Sequence, residues 1–72
     1  MDKNKFIFRA TNDDTTDDYY EFTGDKNLHI QIVDYSTPTM YVVNKWNESE
    51  QSMTQYEFYS LNKAKDKVLE LV

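Results

Sequence analysis

From Lys5 to Ala10 the side chains alternate, with Phe6, Phe8 and Ala10 on one side and Lys5, Ile7 and Arg9 on the other, which is the two-residue period of a β-strand. Thr11 to Asp18 holds four Asp and three Thr and no large apolar residue, so it can bury nothing and reads as a solvated loop. Alternation resumes over Tyr19 to Thr23, with Tyr20 and Phe22 facing the core. The chain's one glycine then stands in Gly24-Asp25-Lys26-Asn27, a hairpin-like turn. A third strand is expected from Leu28 to Tyr35. Leu28, Ile30 and Ile32 share one face, and His29, Gln31, Val33 and Tyr35 the other. Ser36-Thr37-Pro38-Thr39 closes it, since Pro38 withholds a backbone donor.

The fourth strand, Met40 to Trp46, is ambiguous, because either Met40, Val42 and Trp46 or Tyr41 and Val43 can point inward. Burying the largest side chain removes the most apolar area from water, which favours the set with Trp46 and leaves Tyr41 outside. Asn47 to Ser52 is a second polar loop. Met53 to Tyr59 alternates again, with Tyr56 and Phe58 together and Glu57 and Tyr59 together. Ser60 is then placed as an N-cap for a helix from Leu61. On that helix Leu61, Ala64, Val68, Leu71 and Val72 form an apolar stripe roughly 100° wide, opposite Lys63, Asp66, Lys67 and Glu70. A rival reading makes residues 49 to 72 one long or broken helix with Met53, Tyr56 and Ser60 inward, but Tyr-Glu-Phe-Tyr before Leu61 favours a strand. The expected fold class is α+β, in the order β-β-β-β-β-α. It is an antiparallel meander of four to five strands with one C-terminal helix packed on one face.

Length and composition then narrow the picture. Seventy-two residues are about half the usual single-domain length, so residues 1–72 are read as one small domain. Eleven aromatics, six Tyr, four Phe and one Trp, supply a core despite a mean hydropathy of -0.84. With no cysteine there are no disulfides, thiolate nucleophiles or Cys-based metal sites. No apolar run reaches signal-peptide or membrane-spanning length, and a cytoplasmic location is expected. Lys outnumbers Arg seven to one and Asn and Tyr each occur six times. That usage fits AT-rich coding in a low-GC bacterium, one of its phages or a mobile element. The junction Tyr56-x-Phe58-x-Ser60-Leu61-x-x-Ala64-Lys65-x-x-Val68 occurs in many unrelated small α+β domains and names no family.

Candidate chemistry is sparse. His29 is the one side chain that titrates unperturbed near neutral pH, yet no nucleophile or metal-ligand spacing accompanies it, so an ordinary strand histidine is expected. Asp13, Asp14, Asp17 and Asp18 come in adjacent pairs with no glycine among them, unlike the alternate ligands of a Ca²⁺ loop. From Asp13 to Asp25 there are six carboxylates and no base, a negative patch suited to a basic partner or to imitation of a phosphate backbone. One helix covers one sheet face. Ile7, Tyr19, His29, Val33, Tyr35, Tyr41 and Tyr59 are therefore expected to line the other, a tyrosine-rich surface of the kind found at protein interfaces.

The functional expectation is a small acidic, non-catalytic protein-protein interaction module without cofactor or metal. It would bind a protein partner, or a second copy, through Tyr19, His29, Tyr35, Tyr41 and Tyr59 together with Asp13, Asp14, Asp17 and Asp18. The alternative is a nucleic-acid-binding module in which sheet aromatics stack bases. A net charge of -5 and a pI near 4.6 oppose it, because the protein's field repels phosphates. An enzyme is not expected from a chain with one His, one Gly and no phosphate-binding loop.

Overall fold

A computed structural model describes residues 5–11 and 17–72. Five strands, β1 (Phe6–Arg9), β2 (Tyr19–Phe22), β3 (Leu28–Val33), β4 (Met40–Asn47) and β5 (Ser52–Phe58), precede one helix, α1 (Leu61–Leu71). Each strand pairs antiparallel with the next, in the spatial order β1-β2-β3-β4-β5. The expected α+β meander with a C-terminal helix is thus the fold. Segment 49–72 is a strand followed by a helix, because Tyr56 and Phe58 are needed on one sheet face, which a two-residue period achieves and a helical one does not.

Register aligns the apolar positions in rows. Phe8 lies opposite Tyr20, Tyr20 opposite Ile30, Ile30 opposite Val43 and Val43 opposite Tyr56, so one row crosses all five strands; Ile32, Tyr41 and Phe58 form the next. Helix α1 lies over this face, touching β3, β4 and β5. The core contains Phe22, Leu28, Ile30, Val43, Ala64 and Val68, with Phe6, Tyr20, Tyr41, Tyr56, Phe58, Leu61, Leu69 and Leu71 packed around it. Ser60 caps the helix. Its backbone is extended, its Oγ accepts from the Lys63 N–H at 3.4 Å, and its carbonyl accepts from the Ala64 N–H at 3.1 Å.

Two helix lysines are part of the packing. Lys65 Nζ stands 5.5 Å from the Phe6 ring and 5.4 Å from the Tyr20 ring, and Lys67 Nζ stands 4.6 Å from the Tyr56 ring. Lys67, expected on the solvent face, is half-buried for this reason, its stem lying along the sheet while its ammonium reaches Glu70 at 3.2 Å. Val72, expected in the apolar stripe, lies beyond the last helical residue and is exposed.

Two further sequence expectations are corrected. Trp46 points away from the helix and is 38% exposed, while Tyr41 and Val43 point toward it. Strand β4 has no orientation of its own choosing. Directly opposed residues share a face, so Ile30 and Tyr56 on either side of Val43 determine which set goes inward, and one large side chain cannot overturn two neighbouring strands. Strand β3 stops at Val33, and Tyr35 stands in the following turn, 76% exposed. Gly24 stands in the expected turn, where it serves space, since its φ is not positive and an added Cβ would fall 2.7 Å from Phe22 Cε2.

Gly24→Ala is therefore expected to displace the buried Phe22 ring and destabilise the fold by about 1–3 kcal/mol. Tyr41→Ala should cost about 2 kcal/mol by opening the layer beneath α1. Urea unfolding measures both, and wild-type midpoints would contradict the assigned packing.

Candidate functional site

Directly opposed residues on the sheet face away from α1 are Ile7, Glu21, His29, Asn44 and Gln55 in one row and Arg9, Tyr19, Gln31, Val42 and Glu57 in the next. Among the described residues no helix or strand covers this face. Asn44 nevertheless is only 3% exposed, at the centre of the sheet. A buried carboxamide costs free energy unless its polar atoms are bonded, and here neighbouring side chains satisfy it.

The directions of those bonds follow from Asp17, whose carboxylate oxygens only accept. Gln31 Nε2 donates to Asp17 Oδ2 at 2.7 Å, which turns Gln31 Oε1 toward Asn44. Asn44 Nδ2 donates to that oxygen at 3.3 Å and has a second hydrogen for His29 Nε2 at 3.1 Å. Asn44 Oδ1, left facing β5, accepts from Gln55 Nε2 at 2.7 Å. Every amide orientation is mutually consistent. His29 Nε2 must then be bare, so the imidazole is neutral with its proton on Nδ1. Burial acts the same way, by disfavouring the charged ring and lowering the His29 pKa below its ordinary 6.5.

Beside this network lies a cleft of about 570 Å³ lined by Asp17, Tyr19, Glu21, Lys26, Leu28, His29 and Gln31. The Tyr19 and His29 rings meet edge-on within it, centroids 5.8 Å apart at 74°. At its rim Arg9 Nη2 lies 3.2 Å from Glu21 Oε2, an exposed pair held across β1 and β2. Trp46 and Met53, directly opposed on β4 and β5, add exposed apolar area to the same face.

The structure gathers only some of the residues singled out from the sequence. Tyr19, His29 and Asp17 meet at the cleft. Asp18 instead ties a loop, its Oδ1 accepting from the Thr11 backbone N–H at 2.9 Å and the Thr11 hydroxyl at 3.4 Å. Tyr41 packs against the core, Tyr35 sits in a turn, and Tyr59, 64% exposed, follows β5. Asp13 and Asp14 lie outside the described residues. The open face therefore carries amides and carboxylates around its centre and the apolar Trp46 and Met53 beside them, with Tyr19 its one contribution from the expected tyrosine set on a strand. Sequence reading missed Gln31, Asn44 and Gln55. The signal available was an amide, Asn44, in mid-strand within the apolar run from Met40 to Trp46.

Among the described residues no three His, Asp or Glu side chains gather as a metal group, and no helix is long and apolar enough to cross a membrane. No protein-family model matches the chain, and no curated protein or solved structure is significantly similar to it.

The His29 arrangement has a measurable pH consequence. The folded state holds the proton less tightly than the unfolded one, so the stability due to the neutral ring is full above 6.5 and lost as pH falls through the lower folded value. Urea midpoints should drop between pH 8 and pH 5 in wild type, and more shallowly in His29→Gln. Equal slopes in the two proteins would contradict the lowered His29 pKa.

Proposed function

We propose that this chain is a non-catalytic protein-interaction module, acting in the cytoplasm, whose open sheet face receives a basic segment of another protein. The observation that carries the reading is the cleft at Tyr19 and His29, bordered by Asp17 and Glu21 on the one sheet face that α1 does not cover. Its shape is held by the bonds of Gln31 and Asn44, so a ligand meets side chains already ordered, which lowers the entropic cost of binding. Tyr19 offers an aromatic face and edge with little rotamer freedom to lose. Asp17, Glu21 and Glu57 outnumber Arg9 and Lys26 on and around this face, and the chain carries -5 overall. Both charges favour cationic partners over polyanions and speed their encounter. Residue usage fits a phage or mobile-element product of a low-GC bacterium.

The test is a titration of ¹⁵N-labelled protein with a lysine- and arginine-rich peptide, an acidic peptide and oligo-dT. The basic peptide alone is expected to shift the amides of Tyr19, Glu21, His29 and Gln31. Tyr19→Ala should weaken it about tenfold and Glu21→Lys more, with folding retained by circular dichroism. Shifts produced equally by the oligonucleotide, or spread over the helix face, would reject the reading.

A further inference from the structure

Strand β5 ends the sheet. It is seven residues long, Ser52–Phe58, and pairs without a bulge along β4, from Tyr41 opposite Phe58 to Asn47 opposite Ser52. Among the described residues its backbone makes no bond outside that ladder. An edge of this length templates another strand unless Pro, Lys, a bulge or a covering element blunts it, and β5 contains no Pro, Lys or Arg. The other edge, β1, has four residues and ends on Arg9.

We propose that two copies of this chain associate about a two-fold axis by antiparallel pairing of β5 with β5, centred on Gln55. Gln55 is the middle residue of the strand, so this register pairs all seven positions. It sets Met53 opposite Glu57 of the second copy, Thr54 opposite Tyr56 and Ser52 opposite Phe58, and opposes no like charges. Directly opposed residues share a face, so both helices fall on one side of the joined sheet and both open faces on the other.

Two further features select this partner. Gln55 spends one amide hydrogen on Asn44 and keeps its Oε1 and a second hydrogen. A Gln55 pair across the axis exchanges these, so the row His29, Asn44, Gln55 runs unbroken into the second copy. Beyond the strand end, a groove of about 380 Å³ is lined by Glu57, Phe58, Tyr59, Ser60 and Lys63. Because Ser52 of one copy pairs with Phe58 of the other, the β4–β5 turn that carries Glu50 comes to this groove of the second copy. Lys63 takes part in neither ion pair among the described residues and stands ready for that carboxylate.

The test is sedimentation velocity of the full chain in 0.15 M NaCl, where the Debye length of about 8 Å screens the repulsion between two -5 chains. Wild type should shift from monomer to dimer with concentration. Gln55→Lys faces two ammonium groups across the axis and should weaken the dimer at least ~10-fold, whereas Met53→Lys lies opposite Glu57 and should preserve or tighten it. Both positions are exposed, and circular dichroism checks their folding. Glu50→Lys and Lys63→Glu should each weaken association and together restore it. A wild-type chain monomeric up to about 1 mM overturns the proposal, as does equal weakening by Gln55→Lys and Met53→Lys.

Discussion

One eleven-residue helix cannot cover both faces of a five-stranded sheet, and that shortage organises the molecule. On the covered side, apolar rows aligned across the strands meet Ala64 and Val68, and the margins are closed by lysines whose stems lie against aromatic rings. On the uncovered side, among the described residues, no second layer of secondary structure excludes water from the middle of the sheet. The chain places hydrogen-bonding side chains there instead, so the same backbone is dry on one face and polar-bonded on the other.

The polar face is ordered from one end. Asp17 presents only acceptors, and that single chemical fact passes through Gln31 and Asn44 to decide which nitrogen of His29 is bare. Reversing any one amide would oppose two donors or two acceptors elsewhere. The network therefore has one low-energy arrangement while Asp17 is a carboxylate. Because Asp17, His29 and Gln31 also line the cleft, the groups that satisfy the buried Asn44 are the groups a ligand would meet. In the proposed function, rigidity and recognition draw on the same few side chains, an economy suited to a chain with little core to spare.

Sheet edges and sheet faces set separate demands. The face is answered within the chain by amides, whereas the β5 edge offers unspent backbone groups and a half-used Gln55. A surface of that kind is matched by another extended strand, and a copy of the same strand has the same spacing and complementary polarity.

Much of this was legible in the residues themselves. The two-residue period at Phe6 to Ala10 and Leu28 to Val33 and the Ser60 cap before an apolar helical stripe all report local geometry, and they determine the strand order, the helix and the α+β class. The direction of β4 was not legible, because Met40 to Trp46 is apolar on both sides and only the opposed Ile30 and Tyr56 decide it. For the same reason Tyr41 went to the core, Trp46 went to the open face, and the expected tyrosine surface became one centred on amides and carboxylates. Nor could spacing reveal that Asn44, Gln31, Gln55 and His29 meet, since they come from three strands and touch only when register brings them opposite. Local periodicity is written in consecutive residues. Which face wins, and which polar groups find each other, depends on neighbours far apart along the chain, and only the folded sheet brings them together.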